Sequence, residues 1–179
     1  MLTIIFESHG TTLDNEAGLS SGIFDVQLSE LGKRQARELG DRYRTTDLAA
    51  VYCSDLQRSY KTAEIAFKGK SIPIIHDARL RECDYGTFTR RSVKEVEALR
   101  GAHVHNPFPN GESYEQTTAR MKDFLRDALR AYDGKTVMII GHRATQYGLE
   151  HWIRQVPLEE AVIASWKWQP GWTYQLEEI

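Results

Sequence analysis

The 179-residue sequence predicts an α/β fold with three layers, α/β/α, around a mostly parallel central sheet that has an antiparallel C-terminal edge. Three observations lead there. Short apolar runs alternate with segments of helical periodicity along most of the chain, the pattern of a parallel sheet covered on both faces. Two of these runs, Ile4-Ile5-Phe6 and Val137-Met138-Ile139-Ile140, are rich in strand-forming residues and each stops at a glycine beside a histidine. Near the C-terminus, Gln169-Pro170-Gly171 separates two further strand-like runs and reads as a hairpin turn.

Taken in order, Thr3 to Phe6 is a buried strand that delivers His9 past its carboxyl end, followed by a polar loop from Leu13 to Gln27 with Gly18 and Gly22 as flexible points. Ser29 caps a helix with Leu31, Ala36, Leu39 and Tyr43 at helical spacing. Leu48 to Tyr52 is a short strand. Ser54-Asp55 is expected to cap a helix reaching about Phe67, and Ile72 to Ile75 to form an edge strand, because Pro73 has no N–H for a ladder. Asp77 to Glu112 is the least regular part, with one helix expected from Ser92 to Arg100. Ser113 caps a long helix to about Tyr132, Lys135 to Ile140 is the most apolar strand, and a helix runs from Arg143 to about Arg154. Ala161 to Trp168 and Trp172 to Glu177 are the two expected hairpin strands, with the four tryptophans as core and hairpin packing.

Length and composition fit one domain, residues 1–179, with one core. The net charge of -2 offers no polybasic surface, which argues against nucleic acid and membrane partners; a small anion would be met locally by a few arginines. No apolar run approaches a membrane span and no signal-peptide pattern opens the chain. Cys53 and Cys83 have no metal-like spacing and read as reduced thiols, so a cytoplasmic location is expected. His76, His103, His105 and His151 likewise lack ligand spacing.

The chemistry-bearing residues collect at strand ends. In open α/β sheets ligands bind outside the carboxyl ends of strands. His9 with Gly10 and His142 with Gly141 stand there, with the glycines expected to let backbone approach a ligand. Arg58 falls in the first turn of a helix, whose N-terminus favours anions. His9 alone could do no more than end a strand and bond a loop; two histidines, an arginine and helix N-termini in one crevice suit a phosphate.

On these residues the chain resembles the histidine phosphatase superfamily, the phosphoglycerate mutase-like fold, over nearly its whole length. Ser8-His9-Gly10-Thr11-Thr12-Leu13-Asp14-Asn15 matches the family's Arg-His-Gly-x-Thr-x-x-Asn at His9, Gly10, Thr12 and Asn15. Cys53-Ser54-Asp55-Leu56-Gln57-Arg58 with Thr62-Ala63, Leu80-Arg81-Glu82 through Gly86, Gly111-Glu112-Ser113 and Ile140-Gly141-His142 continue the pattern in order. The resemblance implies a metal-independent phosphomonoesterase without cofactor. His9 would be the nucleophile, Arg58 and His142 would hold the phosphoryl group, and Glu82 would be the acid, with Asp84 and Glu112 as other carboxylates within reach. Gly10, Thr12 and Asn15 would line the phosphate pocket. The expected partner is a small phosphorylated metabolite or inorganic phosphate, and the C-terminal edge leaves a homodimer open.

One position departs from the family pattern. Ser8 stands where the family has arginine before its nucleophile, and loss of a preorganised donor of that kind costs about 10²–10³ in rate. Glu7, one residue earlier, could face the sheet or the site. Arg143 either supplies the missing charge or faces solvent. Two other functions stay open: a phosphate-ester binder that has lost catalysis, and a mutase-type phosphotransferase. Arg81, Arg90 and Arg91 either meet a second anionic group or are solvated.

Overall fold

The computed structural model describes residues 1–179. Its five-stranded sheet has the order β3-β2-β4-β1-β5, with β1 (Leu2–Ser8), β2 (Ala50–Cys53), β3 (Ile74–His76) and β4 (Thr136–Gly141) parallel and β5 (Trp172–Leu176) antiparallel to β1. Strand alternation divides the core in two. Leu2, Ile4, Phe6, Ala50, Tyr52, Val137 and Ile139 pack on one face with Met121, Phe124, Leu125 and Leu149, from α5 (Tyr114–Tyr132) and α6 (Arg143–Trp152). Val51, Cys53, Met138 and Ile140 point to the other face, against Leu39 of α2 (Glu30–Arg42) and Ala63, Ala66 and Phe67 of and after α3 (Gln57–Ala66). This is the three-layer arrangement the alternation predicts. Burying an aliphatic side chain of this kind contributes about 1.5–3 kcal/mol.

Ser29 and Ser113 cap α2 and α5 as expected, their hydroxyls accepting from Gly32 and Gln116 N–H groups. α3 differs. It starts at Gln57, and neither Ser54 nor Asp55 caps it. The cap is supplied from another loop, where the Asp25 carboxylate accepts from Gln57 N–H at 2.8 Å. The stretch read as a plain polar loop opens with a one-turn helix, α1 (Leu13–Glu16), closed by a reciprocal Thr12–Asn15 capping box.

The expected strand from Ala161 to Trp168 is absent. Pro157 precedes a short helix, α7 (Leu158–Ile163), in which Leu158, Ala161 and Val162 are buried at i, i+3 and i+4. Residues 164–171 then run without regular structure into β5. The irregular middle of the chain carries α4 (Val93–Leu99) and folds with α7 around a third cluster, including Cys83, Tyr85, Phe108, Tyr114 and Tyr147, beside the strand ends. No helix is long and apolar enough to cross a membrane.

Candidate active site

Sheet register builds the site. Ser8 of β1 pairs with Gly141 of β4, so the next residues, His9 and His142, emerge side by side with ring centroids 5.1 Å apart. β2 flanks β4 on its other side, and the residue after it, Ser54, brings its hydroxyl 2.7 Å from His142 Nε2. His9 and His142 line one cavity of about 710 Å³, and Ser54 supports His142 from behind it. Arg58, one turn beyond β2, joins them.

Each histidine has one nitrogen engaged. His9 Nδ1 lies 2.7 Å from the Gly10 carbonyl oxygen, which can only accept, so Nδ1 carries the proton and Nε2 keeps its lone pair. Ser54 Oγ accepts from Leu56 N–H and shares a second hydrogen bond with His142 Nε2. The other ring nitrogen, His142 Nδ1, is buried with no hydrogen-bond partner. Removal from water and the nearby Arg58 charge push the pKa of His9 down from 6.5 to about 3, and the same causes hold His142 well below its usual value. Both rings are neutral at physiological pH.

Arg58 is 3 % exposed and forms no ion pair. Its guanidinium donates to the carbonyls of Gly22 and, at 2.9 Å, Phe24, which anchor it from the loop before α2. A buried cation held only by neutral carbonyls is an incomplete arrangement that an anion completes.

Glu82 lines the same cavity and is buried at the start of α6, where Oε2 accepts from Arg143 N–H at 3.1 Å and Oε1 from Ala144 and Cys83 N–H at 3.2 and 2.8 Å. The two competing carboxylates are engaged outside it: Asp84 accepts from Gly86 N–H, and Glu112 pairs with Arg120. Glu7 also lines the cavity but is buried and engaged, its Oε1 accepting from Tyr43 Oη at 2.8 Å and Arg42 Nη2 at 3.1 Å; burial raises its pKa.

Ser8, Gly10, Thr12, Asn15 and Arg143 all line the cavity. Thr12 Oγ1 and Asn15 Oδ1 are committed to the α1 cap, which leaves the Asn15 amide N–H₂ free. Gly10 also serves packing: a Cβ there would lie 2.5 Å from the Gly32 carbonyl oxygen. Gly141 is likewise explained by Thr145 Oγ1, which a Cβ would meet at 2.8 Å.

Three expectations are corrected. Arg143 does not face solvent: its guanidinium lies over the Tyr147 and Trp166 rings, at 5.4 and 4.9 Å, and donates to Tyr147 Oη. Arg81 and Arg90 are not free to meet a second anion, being paired with Asp55 and Asp14. Trp166 and Trp168 are not core residues; they are 40 % and 52 % exposed and line the cavity from the 164–171 segment. Arg42, Arg100 and Tyr147 also line it and were not anticipated. A sequence gives no sign that Arg100 and Tyr147, 47 positions apart, share a hydrogen bond.

An α/β fold with paired histidines at neighbouring strand ends, beside a buried arginine, is the class that this geometry defines. Residues 4–167 match the model of the histidine phosphatase superfamily (branch 1), and the chain belongs to that family. It is 32% identical over 150 residues to the "Probable phosphoglycerate mutase GpmB" of Enterobacter sp. (strain 638), covering 79% of this chain and 70% of that protein. It is 31% identical over 151 residues to "Phosphoserine phosphatase 1" of Hydrogenobacter thermophilus, with 79% and 71% covered. Among solved structures, YhfR of Bacillus stearothermophilus superposes with a TM-score of 0.85 at 26% identity, covering 97% of this chain and 90% of that one. The α-ribazole phosphatase of Shigella flexneri shares the fold at a TM-score of 0.78 and 23% identity, over 89% and 83% of the two chains.

Proposed function

We propose that this protein is a metal-independent phosphomonoesterase that hydrolyses a small phosphorylated metabolite through a phosphohistidine on His9. His9 Nε2 attacks phosphorus in line, forming the N–P bond as the ester P–O bond breaks, and Glu82 gives its proton to the departing oxygen. Water then attacks the phosphohistidine, Glu82 takes its proton, and inorganic phosphate leaves with His9 neutral again. Arg58 and His142 stabilise the charge on the phosphoryl oxygens.

The observation that carries this reading is the state of His9: neutral, its Nδ1 proton fixed on Gly10, its Nε2 free, 5.1 Å across from His142 and beside a buried arginine with no counter-ion. The relatives' names, a mutase and a phosphatase, support phosphoryl transfer in general. Ser8 favours a second reading, a phosphate-ester binder without turnover, because serine cannot make a bidentate contact with a phosphoryl group.

An assay with an aryl phosphate and a panel of phosphorylated metabolites, without added metal, decides between them. Release of phosphate by the wild type and not by His9→Ala is the expected result. A phosphorylated, isomerised product would mean a mutase. Vanadate binding with no turnover of any ester would mean the binder.

A further inference from the structure

Besides His9, His142 and Arg58, the cavity is lined by a second pair of cationic side chains. Arg100, at the C-terminus of α4, and Arg143, at the start of α6, donate to the same atom, Tyr147 Oη, at 2.9 and 3.2 Å. A phenol oxygen is their only shared partner. Neither arginine forms an ion pair, although Glu97 and Glu38 line the same cavity. Both carry a buried Nε with no hydrogen-bond acceptor. The Arg143 guanidinium is in addition held over two aromatic rings, Tyr147 and Trp166, and Trp166 is itself fixed by donating to Gln146 Oε1 at 2.9 Å. Two guanidinium groups meeting at one neutral oxygen, with donors unused, form an uncompensated positive pair that planar anions match by geometry.

The location of this pair sets its distance from the chemistry. The Arg143 backbone N–H bonds Glu82, while its side chain runs along α6 to Tyr147, four residues on. Four residues of helix rise roughly 6 Å. We propose that Arg100, Arg143 and Tyr147 form a subsite for a second anionic group, carboxylate or phosphate, on a compact substrate whose ester phosphate sits between His9 and Arg58. The inference rests on the reading of that floor as the phosphoryl site. Tyr147 sets the spacing of the two arginines, and Trp166 and Trp168 cover the organic body of the ligand. Arg143 then serves the far end of the substrate and is not a replacement for the family's arginine at position 8.

The test uses non-hydrolysable phosphonates, so that it does not depend on turnover. Calorimetric affinities of the wild type for propylphosphonate, 2-carboxyethylphosphonate, 3-carboxypropylphosphonate and 1,3-propanediyl bisphosphonate are compared. At least one doubly anionic compound is expected to bind about tenfold or more tightly than propylphosphonate, and the better of the carboxylate and bisphosphonate series names the second group. In Arg100→Gln and Arg143→Gln that advantage is expected to shrink to about threefold or less. Arg100→Lys, which keeps a cation with less loss of packing, is expected to retain part of it. Equal affinity across the series, or an advantage that survives both glutamine variants, overturns the subsite. A doubly anionic preference in binding together with no hydrolysis of any ester would support the subsite and overturn the proposed activity.

Discussion

The carboxylate of Glu82 occupies the position of an N-terminal cap for the helix that begins at Arg143, accepting from the backbone N–H groups of Arg143 and Ala144 across a separation of more than sixty residues. One side chain therefore joins the loop after β3 to the helix that follows His142, and the candidate acid is held in place by the same bonds that secure the helix. Glu82→Ala is expected to lower stability by about 1–2 kcal/mol through loss of this cap. Glu82→Gln keeps an acceptor at the helix and loses the transferable proton. It is expected to reduce kcat for an alkyl ester by about 10²-fold or more with a smaller change in melting temperature. Equal losses of stability and activity in both variants would reduce Glu82 to a structural cap.

The two histidines predict a pH dependence of stability. The unfolded imidazole of His9 takes a proton near pH 6.5, whereas the folded one resists protonation down to about pH 3. The unfolded state thus binds the extra proton between these values, and the contribution of His9 is fully present above pH 6.5 and is lost as pH falls toward 3. Glu7 works in the opposite sense, since its carboxyl pKa is raised by folding. The comparison is therefore between wild type and His9→Asn: denaturant midpoints between pH 7 and 4 are expected to fall more steeply with acid in the wild type. Parallel curves would mean that His9 titrates freely in the native state.

Gly32 lies far from His9 in sequence yet controls where it sits. A Cβ on Gly32 would come within 2.0 Å of the Thr11 carbonyl oxygen, and one on Gly10 within 2.5 Å of the Gly32 carbonyl. Backbone faces backbone there, with no flexible side chain to yield. Gly32→Ala is expected to destabilise by about 1–3 kcal/mol, the usual range for overpacking, and to lower activity by displacing the His9 loop. A melting temperature and kcat unchanged from wild type would show that the loop can shift freely.

These residues also mark what a sequence can disclose. The strand and helix alternation, the caps at Ser29 and Ser113, and the two histidines after apolar strands are local patterns, and all are where periodicity predicts them. The chain between α6 and β5 reads as a strand in the sequence because Val162, Ile163, Trp166 and Trp168 form a β-branched and aromatic run. The i, i+3, i+4 spacing of Leu158, Ala161 and Val162 carried the opposing helical signal. The Asp25 cap of α3, the pairing of Arg81 with Asp55 and of Arg90 with Asp14, and the convergence of Arg100 and Arg143 on Tyr147 are tertiary contacts between distant segments. Proximity to Glu82 in sequence points to Arg81, whereas the fold brings Arg100 to the cavity beside Arg143, which its place after His142 already marks.

The residue before His9, the proposed nucleophile, offers the sharpest test of what a serine does at the position where the resemblance expects arginine. Ser8 lines the cavity at the end of β1, between the buried Glu7 and His9, and its strand partner is Gly141, which has no side chain to compete for space. Arg143, the other arginine the sequence offers for compensation, is held by Tyr147 and Trp166. Ser8→Arg is therefore expected to add a phosphoryl contact that the wild type lacks and to raise kcat/KM for an aryl phosphate by about tenfold or more, given the 10²–10³ that one preorganised donor is worth. Added positive charge would also strengthen vanadate binding. A Ser8→Arg variant that binds vanadate more tightly and hydrolyses no faster would mean that the extra charge stabilises the ground state and the transition state alike.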